Sequence, residues 1–327
     1  MLVSAGESLI DLIALAETDE KGETYRARPG GSPYNCAVAM AKLGGDVGFL
    51  CPLSSDVFGE TLRKHLLSMG VTPLVKNLMP QPTALAIVSV SPDGQPSYSF
   101  YRDETADRQL STPPIKSALP EVVSAFHFGS LCLANALDAR IWLELALSLR
   151  QRDVLITLDP NLRPALIDDM DQYRERLVTA YELCDVLKFS DEDLGILYPN
   201  DCGYEQLVML QKKHQIPLVI LTKGANGSMA RTLDGVTADA PPFPIQTMGD
   251  TVGAGDTFQA ALVFWLTERF EEPHRQAQSL DAEALTSLLR FANSAAGLTC
   301  QEQGCNPPTR ENVDTALLSQ WWLRHDD

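Results

Sequence analysis

The chain has 327 residues, 45% of them hydrophobic, enough to fill the core of one large α/β domain. Its formal charge of -17 would repel nucleic acid and anionic membrane over most of the surface, so neither is expected as a partner and any bound phosphate must be held locally. Acids interrupt the N-terminal run Met1–Asp11 where a signal peptide needs basic and then apolar residues, and no segment approaches the ~20 apolar residues of a membrane span, so a cytoplasmic protein is expected.

Leu2 to Ala5 reads as a first buried strand, which Gly6 to Ile13 continues past a bend, carrying Asp11 toward the carboxyl end where α/β sheets hold ligands. A polar stretch, Glu17 to Arg28, is too hydrophilic for core. Pro29-Gly30-Gly31-Ser32-Pro33-Tyr34-Asn35 then opens a helix through Lys42, with Ser32 as N-cap and Pro33 at the first helical position. Val47 to Cys51 is a second buried strand and Asp56 to Met69 an amphipathic helix, the alternation of a parallel sheet. That rhythm breaks at Thr83 to Ser91 and Pro96 to Arg102, a hairpin turning at Pro92-Asp93-Gly94. With residues about 12 to 28 it would form a small sheet standing off the main one as a lid, reached by Tyr101 and Arg102. Strands recur at Ala125 to Phe128, Val154 to Leu158, Val186 to Phe189 and Leu218 to Thr222, each followed by a helical pattern. They end on polar or small residues, among them Asp159 to Arg163, Ser190 to Asp193 and Thr222 to Gly227, as at a site edge. A long helix runs from about Asp281 to Gln301. The expected architecture is a doubly wound, mostly parallel sheet flanked by helices, one domain over 1–327 with the lid from about 12–28 and 83–103 inserted in it.

The seven cysteines, Cys36, Cys51, Cys132, Cys184, Cys202, Cys300 and Cys305, are odd in number and scattered, and read as reduced thiols. Zinc on Cys300 and Cys305 lacks a nearby histidine.

Gly249-Asp250-Thr251-Val252-Gly253-Ala254-Gly255-Asp256-Thr257-Phe258 is followed by an almost wholly apolar Gln259 to Leu266. A helix apolar all round is buried, so its first free amides point from a rigid mount into whatever cleft lies there. Gly253 and Gly255 admit a ligand to the backbone, and the helix dipole favours phosphate. Taken alone, Gly-Ala-Gly-Asp reads as a tight turn with a dipole-favoured acid. Read as chemistry, Asp256 is a general base beside an electrophile, with the Gly253, Ala254 and Gly255 amides as an anion hole. Neither a P-loop nor a dinucleotide fingerprint fits the spacing.

With Gly30 to Asn35 near the start, Thr222 to Gly227 between and Asp250 to Asp256 near the end, the chain resembles the ribokinase-like, or PfkB, family of carbohydrate kinases over its full length. The resemblance implies that Asp256 activates a sugar hydroxymethyl group and that Asp11, Gly30, Gly31 and Asn35 hold sugar hydroxyls. Thr222, Gly224 and Gly227 would line the ATP site and Asn293 would lie beside adenine, with Mg²⁺ on the nucleotide phosphates. Ser190 and Asp193 stand where the family has N-x-x-E, which shortens the acid by one methylene and leaves Glu192 as the alternative acid. Carbonyls near Asp250, Val252, Thr299 and Gly304 match the family's potassium site, though Pro308 stands where some members carry serine. Phe100-Tyr101-Arg102, Thr105-Ala106-Asp107 and Asp159 to Arg163 look most like fructokinases. Kinases of 2-keto-3-deoxygluconate share much of this, and in them arginines matching Arg102 and Arg163 meet the substrate carboxylate. A silent sugar-binding relative is the reading from another class. Family members often dimerise through the lid, so a homodimer is expected.

Overall fold

Apolar runs such as Leu2–Ala5 and Leu155–Asp159 are buried along their whole length, as strands of a parallel sheet are when helices cover both faces. The computed structural model describes residues 1–15, 24–90, 96–199 and 203–325. The turn expected at Pro92-Asp93-Gly94, part of the 12–28 stretch and Cys202 lie outside the described residues. In chain order the strands are β1 (Leu2–Ala5), β2 (Leu9–Ala14), β3 (Tyr25–Gly30), β4 (Val47–Leu50), β5 (Val71–Pro73), β6 (Ala84–Val90), β7 (Pro96–Tyr101), β8 (Ala125–Gly129), β9 (Leu155–Asp159), β10 (Val186–Ser190), β11 (Leu218–Thr222), β12 (Ser228–Thr232) and β13 (Thr237–Ala240).

Nine of them form one sheet in the order β13-β12-β11-β10-β9-β8-β1-β4-β5, parallel from β11 through to β5. The chain winds outward from β1 to β4 and β5, then returns to lay β8 on the other side of β1. The point where strand order reverses therefore lies between β1 and β8, and a crevice opens beyond their carboxyl ends. Alternate residues feed two cores. Leu2, Val47 and Phe49 pack with the helices Ser32–Lys42, Ala254–Arg269 and Ala282–Cys300, while Val3, Ala5 and Leu50 pack with Ala136–Arg150 and Met170–Leu183. This is the doubly wound, helix-flanked, mostly parallel sheet expected.

The remaining four strands make the small sheet β3-β2-β6-β7, antiparallel except for the β2–β6 pair. One expectation is corrected here. The Leu2 to Ile13 run is two strands in two sheets, because Gly6, at φ 142°, turns the chain where a side chain would collide with Pro33 and Cys132. Asp11 consequently sits in the small sheet, opposite Arg28. A second correction falls after β11. Only one short 3-10 turn, Gly224–Asn226, follows it, and Gly227, at φ 79°, then returns the chain into the antiparallel pair β12 and β13. Strands β5, β12 and β13 were absent from the sequence-based expectation.

The Ala254–Arg269 helix is buried at every position from Asp256 to Leu266, because it lies between the Ser32–Lys42 and Ala282–Cys300 helices. Ser32 is not the N-cap of its helix. Gly31 holds the cap position at φ 108°, and the Ser32 amide donates instead to Glu7 Oε1, 3.2 Å away at the end of β1. The six described cysteines are free thiols. Among the described residues no helix is long and apolar enough to cross a membrane, and no group of three or more His, Cys, Asp or Glu side chains could hold a metal ion.

Candidate active site

Gly253, in the left-handed region at φ 78°, starts the Ala254 helix and places Asp256 in its first turn, 7% exposed. Asp256 Oδ1 accepts from Ser32 Oγ at 2.6 Å and from Asn161 Nδ2 at 3.3 Å, while Oδ2 accepts from Asn35 Nδ2 at 2.8 Å. Asn161, at φ 39°, also donates to Ser32 Oγ at 2.8 Å. Burial pushes the Asp256 carboxyl above the usual range, and the Ser32 and Asn35 hydrogen bonds pull it back by stabilising the ionised form. A carboxylate held on both oxygens by neutral donors, with raised proton affinity, is suited to take a proton from an alcohol. The amides beside it fall short of the expected trio. Ala254 N–H is taken by the Thr251 carbonyl at 3.2 Å, which closes the turn, while those of Gly253 and Gly255 have no partner among the described residues.

Asp256 opens into a cleft of about 710 Å³ at the strand-order reversal, walled by Glu7 and Asp11 on one side and by Asp159, Arg163, Lys188 and Asp193 on the other. Burial pushes Asp11 up to about 6, helped by the Asp256 charge and opposed by Arg163. Asp193 is likewise pushed to about 6, by burial and then by Asp159. Its Oδ1 accepts from the Leu162 amide at 3.1 Å, and its own amide donates to Ser190 Oγ at 3.0 Å, Ser190 capping the helix Asp191–Leu197. Lys188 Nζ lies 2.6 Å from Asp159 Oδ2. Glu7 Oε2 and Asp159 Oδ1 are buried without partners among the described residues.

The cleft brings together Asp11, Gly31, Asn35, Arg163, Ser190, Asp193, Thr222, Val252, Gly253, Gly255 and Asp256. Gly30 stands directly behind Asp11, where a side chain would strike its carboxylate. The other expected residues do not line the cleft. Tyr101 faces solvent at 60% exposed. Arg102 is drawn away by a buried ion cluster, with Nε 2.7 Å from Asp107 and Nη1 3.6 Å from Asp138. Asn293 donates Nδ2 to the Ala240 and Pro241 carbonyls and accepts on Oδ1 from Ser228 Oγ. Gly227 packs against the Ala240 backbone, while Gly224 leaves its surroundings open. Asp250 ties the Val252 and Gly304 amides together, and Thr299 bonds to Thr257 and the Ala295 carbonyl.

Sequence reasoning missed Glu7, the Ser32 hydroxyl and Lys188 as cleft groups. Lys188 carried a signal, a lone cation inside the apolar strand Val186-Leu187-Lys188-Phe189.

The family model described as pfkB family carbohydrate kinase matches residues 1–312. A fructokinase of Rhizobium leguminosarum bv. trifolii is 33% identical over 287 residues, covering 87% of this chain and 85% of its own. Fructokinase-1 of Oryza sativa subsp. japonica is 29% identical and covers 98% of each. The crystal structure of a Xylella fastidiosa fructokinase with bound ATP matches at TM-score 0.86 and 26% identity, covering 98% of both chains. That of a Vibrio cholerae O395 fructokinase in fructose, ADP and calcium ion bound form matches at TM-score 0.82 and 26% identity, covering 97% of this chain and 98% of the other.

Proposed function

The chain belongs to the pfkB family of carbohydrate kinases, and on that premise we propose that it moves the γ-phosphoryl group of ATP onto a hydroxymethyl group of fructose. It is an ATP-dependent phosphotransferase acting on a sugar hydroxyl. The observation that carries the proposal is Asp256, held on both oxygens at the mouth of a helix whose Gly253 and Gly255 amides have no partner among the described residues. The sugar hydroxyl gives its proton to Asp256 as its oxygen attacks phosphorus, and ADP leaves with the electrons of the broken P–O bond. The two amides and the helix dipole stabilise charge on the passing phosphoryl group. Asp11, Asn35 and the Gly31 backbone would orient the sugar, bringing the acceptor into line.

Mg²⁺ would neutralise phosphate charge when bound. The residues present fit such an ion, since Asp193 is a cleft carboxyl pushed up to about 6 that a cation would relieve, and Glu192 stands on the cleft rim. Asp193 would organise it, with Glu192 as the alternative acid. The junction where Asp250 meets Gly304, with Val252 and Thr299 nearby, remains the proposed place for a potassium ion.

The ion cluster around Arg102 supports fructose over 2-keto-3-deoxygluconate, because it leaves Arg163 as the one of the two arginines lining the cleft. Cytoplasmic residence and a homodimer through the small sheet belong to the same proposal; β3 and β7 are its edges and need covering. A coupled ADP-release assay over a sugar panel tests the whole reading. Fructose should give the highest kcat/KM. Preference for a keto-deoxy acid moves the substrate, and no turnover with any sugar favours a silent binder.

A further inference from the structure

We propose that Lys188 is a catalytic residue of the transfer, its ammonium meeting the oxygens of the phosphoryl group as it passes from ATP to the sugar. This rests on the kinase reading above. Lys188 is in β10 and 3% exposed, yet its side chain reaches the cleft. Burying an ammonium is costly unless it is paired, and Asp159 pairs it directly while Asp193 and Asp256 add their charges. Of its three N–H donors, one goes to Asp159 Oδ2 at 2.6 Å, and the others have no partner among the described residues.

Position gives the remaining donors a target. Lys188 Nζ lies 3.7 Å from where a Cβ on Gly255 would stand, which puts the ammonium beside the bare Gly255 amide and the first turn of the Ala254 helix. A side chain at 255 would fill that gap, and glycine leaves it open. Asp159, Asp193 and Asp256 are all close enough to act on Lys188, and Arg163 is the other cation lining the cleft. A phosphoryl group carrying several negative charges needs a cation there to enter at all. In the step, the sugar proton goes to Asp256, the sugar O–P bond forms, and the P–O bond to ADP breaks with its electron pair leaving on ADP. Lys188 keeps its proton throughout and supplies hydrogen bonds and charge.

The competing role is simpler: Lys188 only neutralises Asp159. Three variants of the full chain separate the two, Lys188→Met, Asp159→Asn and the double variant, assayed with Mg²⁺-ATP and the sugar preferred by the unaltered protein. Lys188→Met should lower kcat about 100-fold or more, as loss of one transition-state donor does, with sugar KM changed less than about threefold. Should Lys188→Met fail to fold because Asp159 is left unpaired, the double variant, with its charge balanced, decides. It should melt near the unaltered protein and remain as slow, while Asp159→Asn alone is slowed less than about tenfold. A double variant within about threefold of full kcat, or Asp159→Asn as slow as the double, overturns the assignment while leaving the kinase reading intact. An unaltered protein inactive on every sugar overturns both.

Discussion

Ser32 Oγ donates a 2.6 Å hydrogen bond to Asp256 Oδ1, joining the first residue of one buried helix to the first turn of another 224 residues along the chain. That bond favours the ionised carboxylate. Ser32→Ala should therefore raise the proton affinity of Asp256 and move the acid limb of the kcat–pH profile to higher pH, since a hydrogen bond to a charged group contributes about 1.5–3 kcal/mol. At fixed neutral pH this appears as a loss of activity partly recovered in more alkaline buffer. An acid limb that stays in place would remove Ser32 from the proton-transfer step.

Asp256→Asn removes the proton acceptor while keeping size and shape. The Ser32 hydroxyl can donate or accept, so the new amide finds a partner and the helix junction persists. Turnover should fall by about 10²–10⁴-fold, with a thermal melt by circular dichroism close to that of the unaltered protein. Near-full turnover would refute the base.

Asp11, raised to about 6 by burial and the Asp256 charge, should be ionised at pH 7 and mostly protonated at pH 5. If its carboxylate holds sugar hydroxyls, sugar KM rises as pH falls through about 6, and Asp11→Asn flattens that dependence. Stability moves in the opposite sense. A carboxyl with a raised folded pKa is more easily buried protonated, so its ionisation destabilises the fold as pH rises from about 4 through 6, by on the order of 2–3 kcal/mol. Asp11→Asn should accordingly melt higher at pH 7, in a calorimetric scan, than the unaltered protein.

Asp193→Ala should raise the Mg²⁺ concentration for half-maximal rate by about tenfold or more, the scale on which groups supporting a metal site act. An unchanged Mg²⁺ titration would transfer the role to Glu192.

Much of the fold is legible in local pattern. Apolar runs of strand length, the glycine turn at Gly253 to Gly255 leading into the almost wholly apolar Gln259 to Leu266, and acids at Asp56 and Asp281 that cap their helices all report themselves. Features set by distant partners do not. Ser32 obeys capping rules in sequence, but Glu7, 25 residues earlier, takes its amide and frees the hydroxyl for Asp256. Arg102 reads as a cleft arginine until Asp138, on another helix, is seen beside it. The β12–β13 extension depends on what β11 exposes at its edge, which no periodicity in Ser228–Thr232 encodes. Asp11, Asn35 and Asp256 line one cleft, as the family resemblance implied, yet the switch of sheets at Gly6 that brings Asp11 there required the tertiary structure.

That switch has a mechanical meaning. Asp11 rides on one slab of the molecule and Asp256 on the other, whereas Ser32, Asn35 and Asp256 form a knot within a single slab. Tilting the slabs changes the gap between the two acids and the repulsion across it without loosening the knot. The titration of one carboxyl, Asp11, is thus tied to that gap, its proton affinity raised first by burial and then by the nearness of the Asp256 charge on the other slab.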